Sequence, residues 1–334
     1  FKSPQTNIFW YDLVKGKIEF DGSLFDDLVI MKSNGTPTYS FACVVDDGSM
    51  EITHIIRGED HISNTPKQLP LYDALGFKAP KFAHIPLILG EDRSRLSKRH
   101  GATSIREFKK AGYLPEAMIN YLSLLGWSPG NNQELITLPE MVKKFSVKKI
   151  QTTNAVFDTK KMDWMNGEYI RGFDTAKLSD LFFATLEAAG KNVQPYDRDW
   201  RCRFAELYRK RVFLLHDLVI ESAFFFEKDI VISDDGMEIL KKDSRLAGLL
   251  DKYADELSGA AQFDHEYIES ISRTFMEREG VSGKEFIHPA RIAATGRTVS
   301  PGFFETLSLL GKETVVSRLK QAAEILKTSA QSGV

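Results

Sequence analysis

Between Glu51 and Gly76 the sequence writes out one strand-loop-helix unit, and that unit commits the first part of the chain to an open α/β arrangement. Glu51-Ile52-Thr53-His54-Ile55-Ile56 has the β-branched character of a strand and stops at Arg57-Gly58. Asn64-Thr65-Pro66 then supplies a capping side chain and a first-turn proline, which start a helix, and Gly76 ends it. In sheets of this kind ligands sit beyond the carboxyl ends of the strands. Arg57 to His61 occupy that place and are the first candidates for a binding site.

The surroundings fit a sheet up to about Gly101 and helices afterwards. Asn7-Ile8-Phe9-Trp10-Tyr11 and Lys17-Ile18-Glu19-Phe20 flank Lys15-Gly16 and predict a hairpin. Tyr39 to Val45 predicts a further strand, closed by Asp46-Asp47-Gly48. Leu114-Pro115-Glu116 opens a helix whose apolar Met118, Tyr121, Leu122 and Leu125 recur at helical spacing up to Gly126. Phe204, Leu207, Tyr208, Leu215 and Leu218 mark later amphipathic helices, as do Tyr267, Ile271 and Phe275, and then Val315, Val316, Leu319 and Leu326. From about residue 105 onward the pattern predicts an almost wholly helical chain, with breaks near Arg171-Gly172-Phe173-Asp174 and between Lys228 and Ser244.

A length of 334 residues with 43% hydrophobic content exceeds what one core serves, so two or three domains are expected. No run approaches the ~18 to 20 apolar residues that cross a bilayer, and the N-terminus has no signal-peptide pattern, which predicts no membrane attachment and a cytoplasmic location. Cys43 and Cys202 stand far apart without partners at metal-ligand spacing, so reduced thiols and no zinc are expected. A net charge of -2 means that a nucleic-acid partner must be held by local basic patches. Lys143-Lys144, Lys148-Lys149, Lys160-Lys161, Arg201 with Arg203, and Arg209-Lys210-Arg211 are the candidates, each also readable as a solvated helix face. The opening Phe1-Lys2-Ser3-Pro4 carries neither an initiator methionine nor a structural signal, and the chain is expected to be cut there.

The densest chemistry lies in Asp92-Arg93-Ser94-Arg95-Leu96-Ser97-Lys98-Arg99-His100-Gly101. Arg93, Arg95, Lys98 and Arg99 in one short loop suit an anion, such as the pyrophosphate that takes up charge when an α-phosphate is attacked. Taken alone, the cluster is also readable as a solvated basic loop. The order Arg-Leu-Ser-Lys-Arg-His-Gly resembles the signature loop of class I aminoacyl-tRNA synthetases in its glutamyl variant. Thr36-Pro37-Thr38-Tyr39-Ser40-Phe41-Ala42, Ile55-Ile56-Arg57-Gly58-Glu59-Asp60-His61, Asn64-Thr65-Pro66-Lys67-Gln68 and His84-Ile85-Pro86-Leu87 are similar to segments before that loop. Gly112-Tyr113-Leu114-Pro115-Glu116, Leu124-Leu125-Gly126-Trp127, Val156-Phe157-Asp158 and Trp164-Met165-Asn166-Gly167 are similar to the helical region after it. In order and at matching distances, these segments resemble the glutamyl-tRNA synthetase family of bacterial type.

The resemblance implies an α/β part followed by an all-α part: the second half of a Rossmann-like catalytic domain over residues 1–104, a helical stem-contact domain over 105–174 and a helical anticodon-binding domain over 175–334. It implies ATP-dependent ligation of L-glutamate to tRNA(Glu) through a glutamyl adenylate, with Mg²⁺ accompanying ATP, by a monomer. Residue by residue, it assigns Tyr39 and Arg57 to the glutamate, although a structural ion pair is the other reading of Arg57. It assigns Asp60 to the ATP ribose, or alternatively to a helix cap, and His61 with the backbone of Leu87 and Ile88 to the adenine. Arg95, Ser97, Lys98 and Arg99 fall to the ATP phosphates, with Lys98 the catalytic cation. The sequence departs from the family in three ways: Arg95 replaces the loop's usual first lysine, no His-Ile-Gly-His-type motif is present, and the Cys-rich zinc loop of some members is missing. The chain is therefore expected to be inactive by itself. The rival families are the glutamyl-queuosine paralogue, which lacks the helical C-terminal region, and glutaminyl-tRNA synthetase, which ends in β-barrels; a non-catalytic tRNA-binding fragment is the alternative from another class.

Overall fold

In the computed structural model, which describes residues 1–97, 99 and 104–331, the expected hairpin forms from β1 (Ile8–Asp12) and β2 (Gly16–Phe20). The two strands pair antiparallel, with Asp12 opposite Gly16 and the turn closed through Gly16 at φ 77°. The stretch from Tyr39 is a helix, α1 (Tyr39–Ser49), and not the strand that its aromatic and β-branched residues predict. Phe41, Val44, Val45 and Gly48 share one face at helical spacing, and Val44 is wholly buried. A short apolar run does not separate the two periods by itself. Asp46-Asp47-Gly48 lies inside this helix, and Gly48 leaves room for the Phe77 ring, which a Cβ there would strike.

The strand-loop-helix unit is present with shifted limits. Strand β3 (His54–Gly58) starts later than predicted and carries Arg57-Gly58 within its ladder. A 3-10 segment over Glu59–Asn64 leads into α2 (Thr65–Ala74), followed by Gly76 at φ 72°. Pro66 opens the helix as expected. Asn64 does not cap it, because its side chain turns to His61 Nδ1 at 3.1 Å. Strand β4 (Lys81–Ile85) then pairs parallel with β3, placing His84 beside Arg57 and Ile85 beside Gly58. Trp10, Val44, Leu71, Tyr72 and Phe82 fill the core between hairpin, helices and strands.

Strand β5 (Ile88–Leu89) does not end the sheet structure. After α3 (Ile105–Ala111), α4 (Pro115–Leu124) and α5 (Leu138–Lys144), the short β6 (Ala155–Val156) pairs parallel with β5. The prediction of helix from residue 105 onward missed it, since two residues carry no periodicity. Next comes α6 (Thr159–Gly172), within which the chain divides into two compact units, 1–109 with 114–165 and 110–113 with 166–334.

The second unit is built of helices joined by loops, with no strand among its described residues. It contains α7 (Thr175–Ala188), α8 (Arg198–Tyr208), α9 (Leu215–Glu221), α10 (Asp234–Leu240), α11 (Leu246–Ser258), α12 (His265–Glu279), α13 (Gly283–Thr295), α14 (Phe303–Leu310) and α15 (Lys312–Gln331). The stripes read from the sequence face inward: Phe204, Tyr208, Leu218, Phe275, Val315 and Leu319 are fully buried. Two of the arginines counted as candidate basic patches turn onto backbone carbonyls instead. Arg201 donates to the carbonyls of Val193 and Tyr196, both at 2.9 Å, and lies over the Phe183 ring. Arg209 donates to the carbonyls of Arg171 and Phe173 and forms an ion pair with Glu206 at 2.7 Å, while Glu206 also accepts from the Thr175 hydroxyl.

That cluster holds the corner where α6 gives way to α7. The Arg209 guanidinium first, then the Thr175 hydroxyl, pull the Glu206 carboxyl down to about 2. A depressed carboxyl stabilises the fold above its ordinary pKa and loses that contribution as the pH falls through the folded value. Glu206→Gln should therefore melt below the wild-type protein at neutral pH, and the gap should close between about pH 4.5 and 2. Thermal denaturation across that range measures it, and a constant gap would show that the carboxylate's charge plays no part.

Candidate active site

The chain brings Tyr39, Arg57, Asp60 and His61 together at the carboxyl end of β3. Arg57 belongs to the strand, Asp60 and His61 to the following 3-10 segment, and Tyr39 begins α1. The rings of Tyr39 and His61 lie 6.0 Å apart. Gly58 makes the approach possible, because a Cβ there would collide with the Asp60 carboxylate and reach the Leu87 side chain.

Arg57 is held entirely by neutral acceptors. Its Nε donates to His84 Nε2 at 3.2 Å, and its Nη2 to Thr65 Oγ1 at 2.8 Å and Gln68 Oε1 at 2.9 Å. The guanidinium lies over the Phe82 ring, 5.4 Å from its centre. Among the described residues Arg57 has no ion pair with a carboxylate and Nη1 has no partner, so the alternative of a structural ion pair is not what the geometry presents. Burial lowers its pKa, against the pull of Tyr39 and Cys43, yet arginine remains charged.

Behind Arg57 stands a pair that inspection of the sequence did not single out. His84 and Asp12 are both fully buried, and Nδ1 of the imidazole lies 2.6 Å from Asp12 Oδ2. Asp12 Oδ1 also accepts from the backbone N–H groups of Val14, Lys15 and His84 at 3.0 to 3.1 Å. Burial alone would raise the Asp12 carboxyl, but these hydrogen bonds together hold it below its ordinary value. Burial pushes the His84 imidazole below its ordinary value in spite of Asp12, with Arg57 and His61 adding to the lowering. A neutral imidazole donating to an ionised Asp12 satisfies both shifts.

The residues assigned to the nucleotide are only partly gathered. Asp60 forms an exposed ion pair with Arg95 at 3.0 Å. Ile88 pairs with Ala155, and the Leu87 N–H donates to Asn154 Oδ1 at 3.1 Å. Beyond β5 the chain turns back through Gly90 and Ser94, with Arg93 at φ 60°, so that Leu96 N–H reaches the Ile88 carbonyl at 3.0 Å. Arg99 turns onto this loop, donating to Ser94 Oγ at 2.5 Å and pairing with Asp92 at 3.3 Å. Ser97 is exposed. Lys98, His100 and Gly101 lie outside the described residues. Among the described residues no group of three His, Cys, Asp or Glu side chains converges.

The family described as tRNA synthetases class I (E and Q), catalytic domain, matches residues 1–164, and the anticodon binding domain matches residues 180–323. The glutamate–tRNA ligase of Desulforudis audaxviator is 44% identical over 93% of the chain, which spans 63% of that relative. Glutamate–tRNA ligase 2 of Caldanaerobacter subterraneus subsp. tengcongensis is 41% identical over 98% of the chain, which spans 68% of it. The chain belongs to the glutamate–tRNA ligase family. A crystal structure of a glutamate tRNA ligase from Elizabethkingia meningosepticum, in complex with its amino acid, superposes with a TM-score of 0.85 at 29% identity, covering 97% of this chain and 67% of that one. The chain thus spans roughly two thirds of the glutamate–tRNA ligases it matches, and the catalytic and anticodon-binding architecture is that of the family.

Asp60 sits in this site without a structural duty that its stability requires. An exposed ion pair such as Asp60 with Arg95 is worth ~0 to 1 kcal/mol. Asp60→Asn should leave the melting temperature within about 2 °C of wild type. A fall of more than about 5 °C by calorimetry would make Asp60 a structural residue.

Proposed function

We propose that this chain supplies the substrate-binding wall and the tRNA-binding region of a cytoplasmic, monomeric glutamate–tRNA ligase. The observation that carries the reading is a half-buried Arg57 that has no carboxylate partner among the described residues, is held through Nε and Nη2 by neutral acceptors, and lies close enough to Tyr39 for the two to interact electrostatically. A guanidinium fixed on one side and open on the other suits a substrate carboxylate. In the first step one carboxylate of glutamate attacks the ATP α-phosphate, the bond to the β-phosphate oxygen breaks, and pyrophosphate leaves. In the second, a hydroxyl of the 3′-terminal adenosine of tRNA(Glu) attacks the adenylate carbonyl and AMP leaves.

No covalent enzyme intermediate enters these steps, so positioning and charge stabilisation carry the rate. Arg57 and Tyr39 orient glutamate, Asp60 accepts from the ribose hydroxyls, and His61 with the backbone at Leu87 and Ile88 borders the adenine. Arg95 must leave Asp60 when the ribose arrives, which frees its charge for the phosphates beside Ser97, Lys98 and Arg99. Assignment of Lys98 as the catalytic cation rests on the sequence pattern. Residues 105–174 would meet the acceptor stem and 175–334 the anticodon. The anticodon binding domain match favours a ligase of this kind over the paralogue that lacks such a region.

Two measurements on the product of the whole reading frame test the reading. In glutamate-dependent pyrophosphate exchange, Arg57→Lys keeps the charge but loses the fork, and should raise KM for glutamate several-fold more than KM for ATP. Lys98→Ala should lower the exchange rate by ~10² to 10³ with tRNA affinity unchanged. An equal rise in both KM values would make Arg57 structural, and exchange within about threefold of wild type would remove Lys98 from the reaction.

The tRNA side rests on exposed lysines. Lys143, Lys148, Lys149 and Lys160 have no ion-pair partner among the described residues, unlike Lys161, which meets Glu134 at 2.6 Å. Lys148→Glu with Lys149→Glu should weaken tRNA binding and flatten its salt dependence by about one to two units of slope. An unchanged slope in filter binding would place the phosphate contacts elsewhere.

A further inference from the structure

Arg57 could have been anchored by a carboxylate, and the fold places one nearby, yet the carboxylate is set one group back. Asp12 touches the imidazole of His84, and only the far nitrogen of that ring touches Arg57. We propose that Asp12 and His84 are positioning residues for glutamate binding: Asp12 fixes His84 as the Nδ1–H tautomer, and the bare Nε2 holds the guanidinium so that its Nη1 edge faces the substrate carboxylate. This rests on the reading of Arg57 as the glutamate-binding group.

Three features support the arrangement. The parallel register makes Arg57 and His84 neighbours on adjacent strands, so their contact is fixed by backbone pairing and not by long flexible side chains. Tautomer identity matters at this contact, because an imidazole carrying its proton on Nε2 would set a donor against the Arg57 Nε–H. The remaining anchors are likewise neutral acceptors. Thr65 Oγ1 takes Arg57 Nη2 at 2.8 Å and stands 3.2 Å from His84 Nε2, while Gln68 turns its Oε1 to Arg57 and leaves its own Nε2 buried without a partner among the described residues. Flipping that amide would again oppose two donors, so Gln68 accepts an unsatisfied group in order to serve Arg57. A direct carboxylate would neutralise the guanidinium and compete with the substrate for it. Neutral acceptors orient it and leave its charge available.

The test uses the product of the whole reading frame and pyrophosphate exchange, with Arg57→Ala as the gauge. Asp12→Asn and His84→Leu should each raise KM for glutamate about tenfold, with KM for ATP within about twofold of wild type. His84→Gln keeps an acceptor for Arg57 Nε and should stay within about threefold. Neither Asp12→Asn nor His84→Leu should add to the defect of Arg57→Ala. If Arg57→Ala fails to raise the glutamate KM selectively, the reading of Arg57 is wrong. If Arg57→Ala does so while Asp12→Asn and His84→Leu do not, the positioning role alone is overturned. Should these variants fail to fold, the wild-type protein decides the matter by ¹⁵N spectra of His84 at neutral pH: a proton on Nδ1 with Nε2 bare supports the proposal, and a protonated Nε2 overturns it.

Discussion

The buried carboxylate of Asp12 is the constraint around which the α/β unit is organised. Removing a carboxylate from water costs several kcal/mol, roughly, unless hydrogen bonds replace its hydration. Here the backbone N–H groups of Val14, Lys15 and His84 and the imidazole Nδ1 replace it. Each contact fixes something else. The Val14 and Lys15 bonds shape the hairpin turn, the His84 bonds tie that turn to β4, and Leu13 N–H adds a bond to the Phe82 carbonyl at 2.8 Å. Because β4 pairs in register with β3, fixing His84 also fixes Arg57. A chain of local requirements thus runs from a turn in the first hairpin to the side chain proposed to read the substrate.

How much of this was legible in the sequence follows from the range of each signal. The hairpin around Lys15-Gly16 and the helix from Pro66 to Gly76 depend on glycine and proline, whose backbone preferences act locally, and both formed. The segment from Tyr39 depended on a run of apolar residues that suits a strand and a helix alike, and the helix formed with Val44 as its buried residue in the core. Arg57 and Asp60 stood out as candidates because they lie at and just beyond the carboxyl end of a strand, where ligands bind in such sheets. Asp12 and His84 could not be found that way, since their importance lies in a contact across 72 residues of sequence. One signal was available: His84 follows Phe82 and Ala83 in a strand buried on both faces, where a polar side chain needs a partner. The sequence does not say which partner.

The second unit shows why counting basic residues overstates a nucleic-acid surface. Arg201 and Arg209 satisfy carbonyls at helix ends and corners, and Arg318, 3% exposed, does the same for Ala294, Phe224 and Glu227. Helices leave their last carbonyls without partners, and arginine's several donors can serve more than one at a time. Arg201 and Arg209 read as basic patches in sequence and, like Arg318, act as internal fasteners in space. Lysine, with a compact charge and strong hydration, is less suited to that work, which is consistent with the exposed Lys143, Lys148, Lys149 and Lys160 remaining as the proposed phosphate contacts.

The two sides of the proposed site then differ in strength for a physical reason. On the proposed reading Arg57 presents one edge to glutamate, and its other donors are fixed by neutral acceptors in a network where a lost buried hydrogen bond costs ~1 to 3 kcal/mol. On the same proposal Asp60 and Arg95 exchange partners as ATP enters, and an exposed pair worth ~0 to 1 kcal/mol gives way without spending much of the binding energy. Burying Asp60 with Arg95 would make the free site more rigid and charge ATP for the separation of two desolvated ions. Exposing Arg57 would spare the fold a buried cation and let the guanidinium turn away from the substrate. A rigid wall for the amino acid and an exchangeable wall for the nucleotide is the arrangement that avoids both costs.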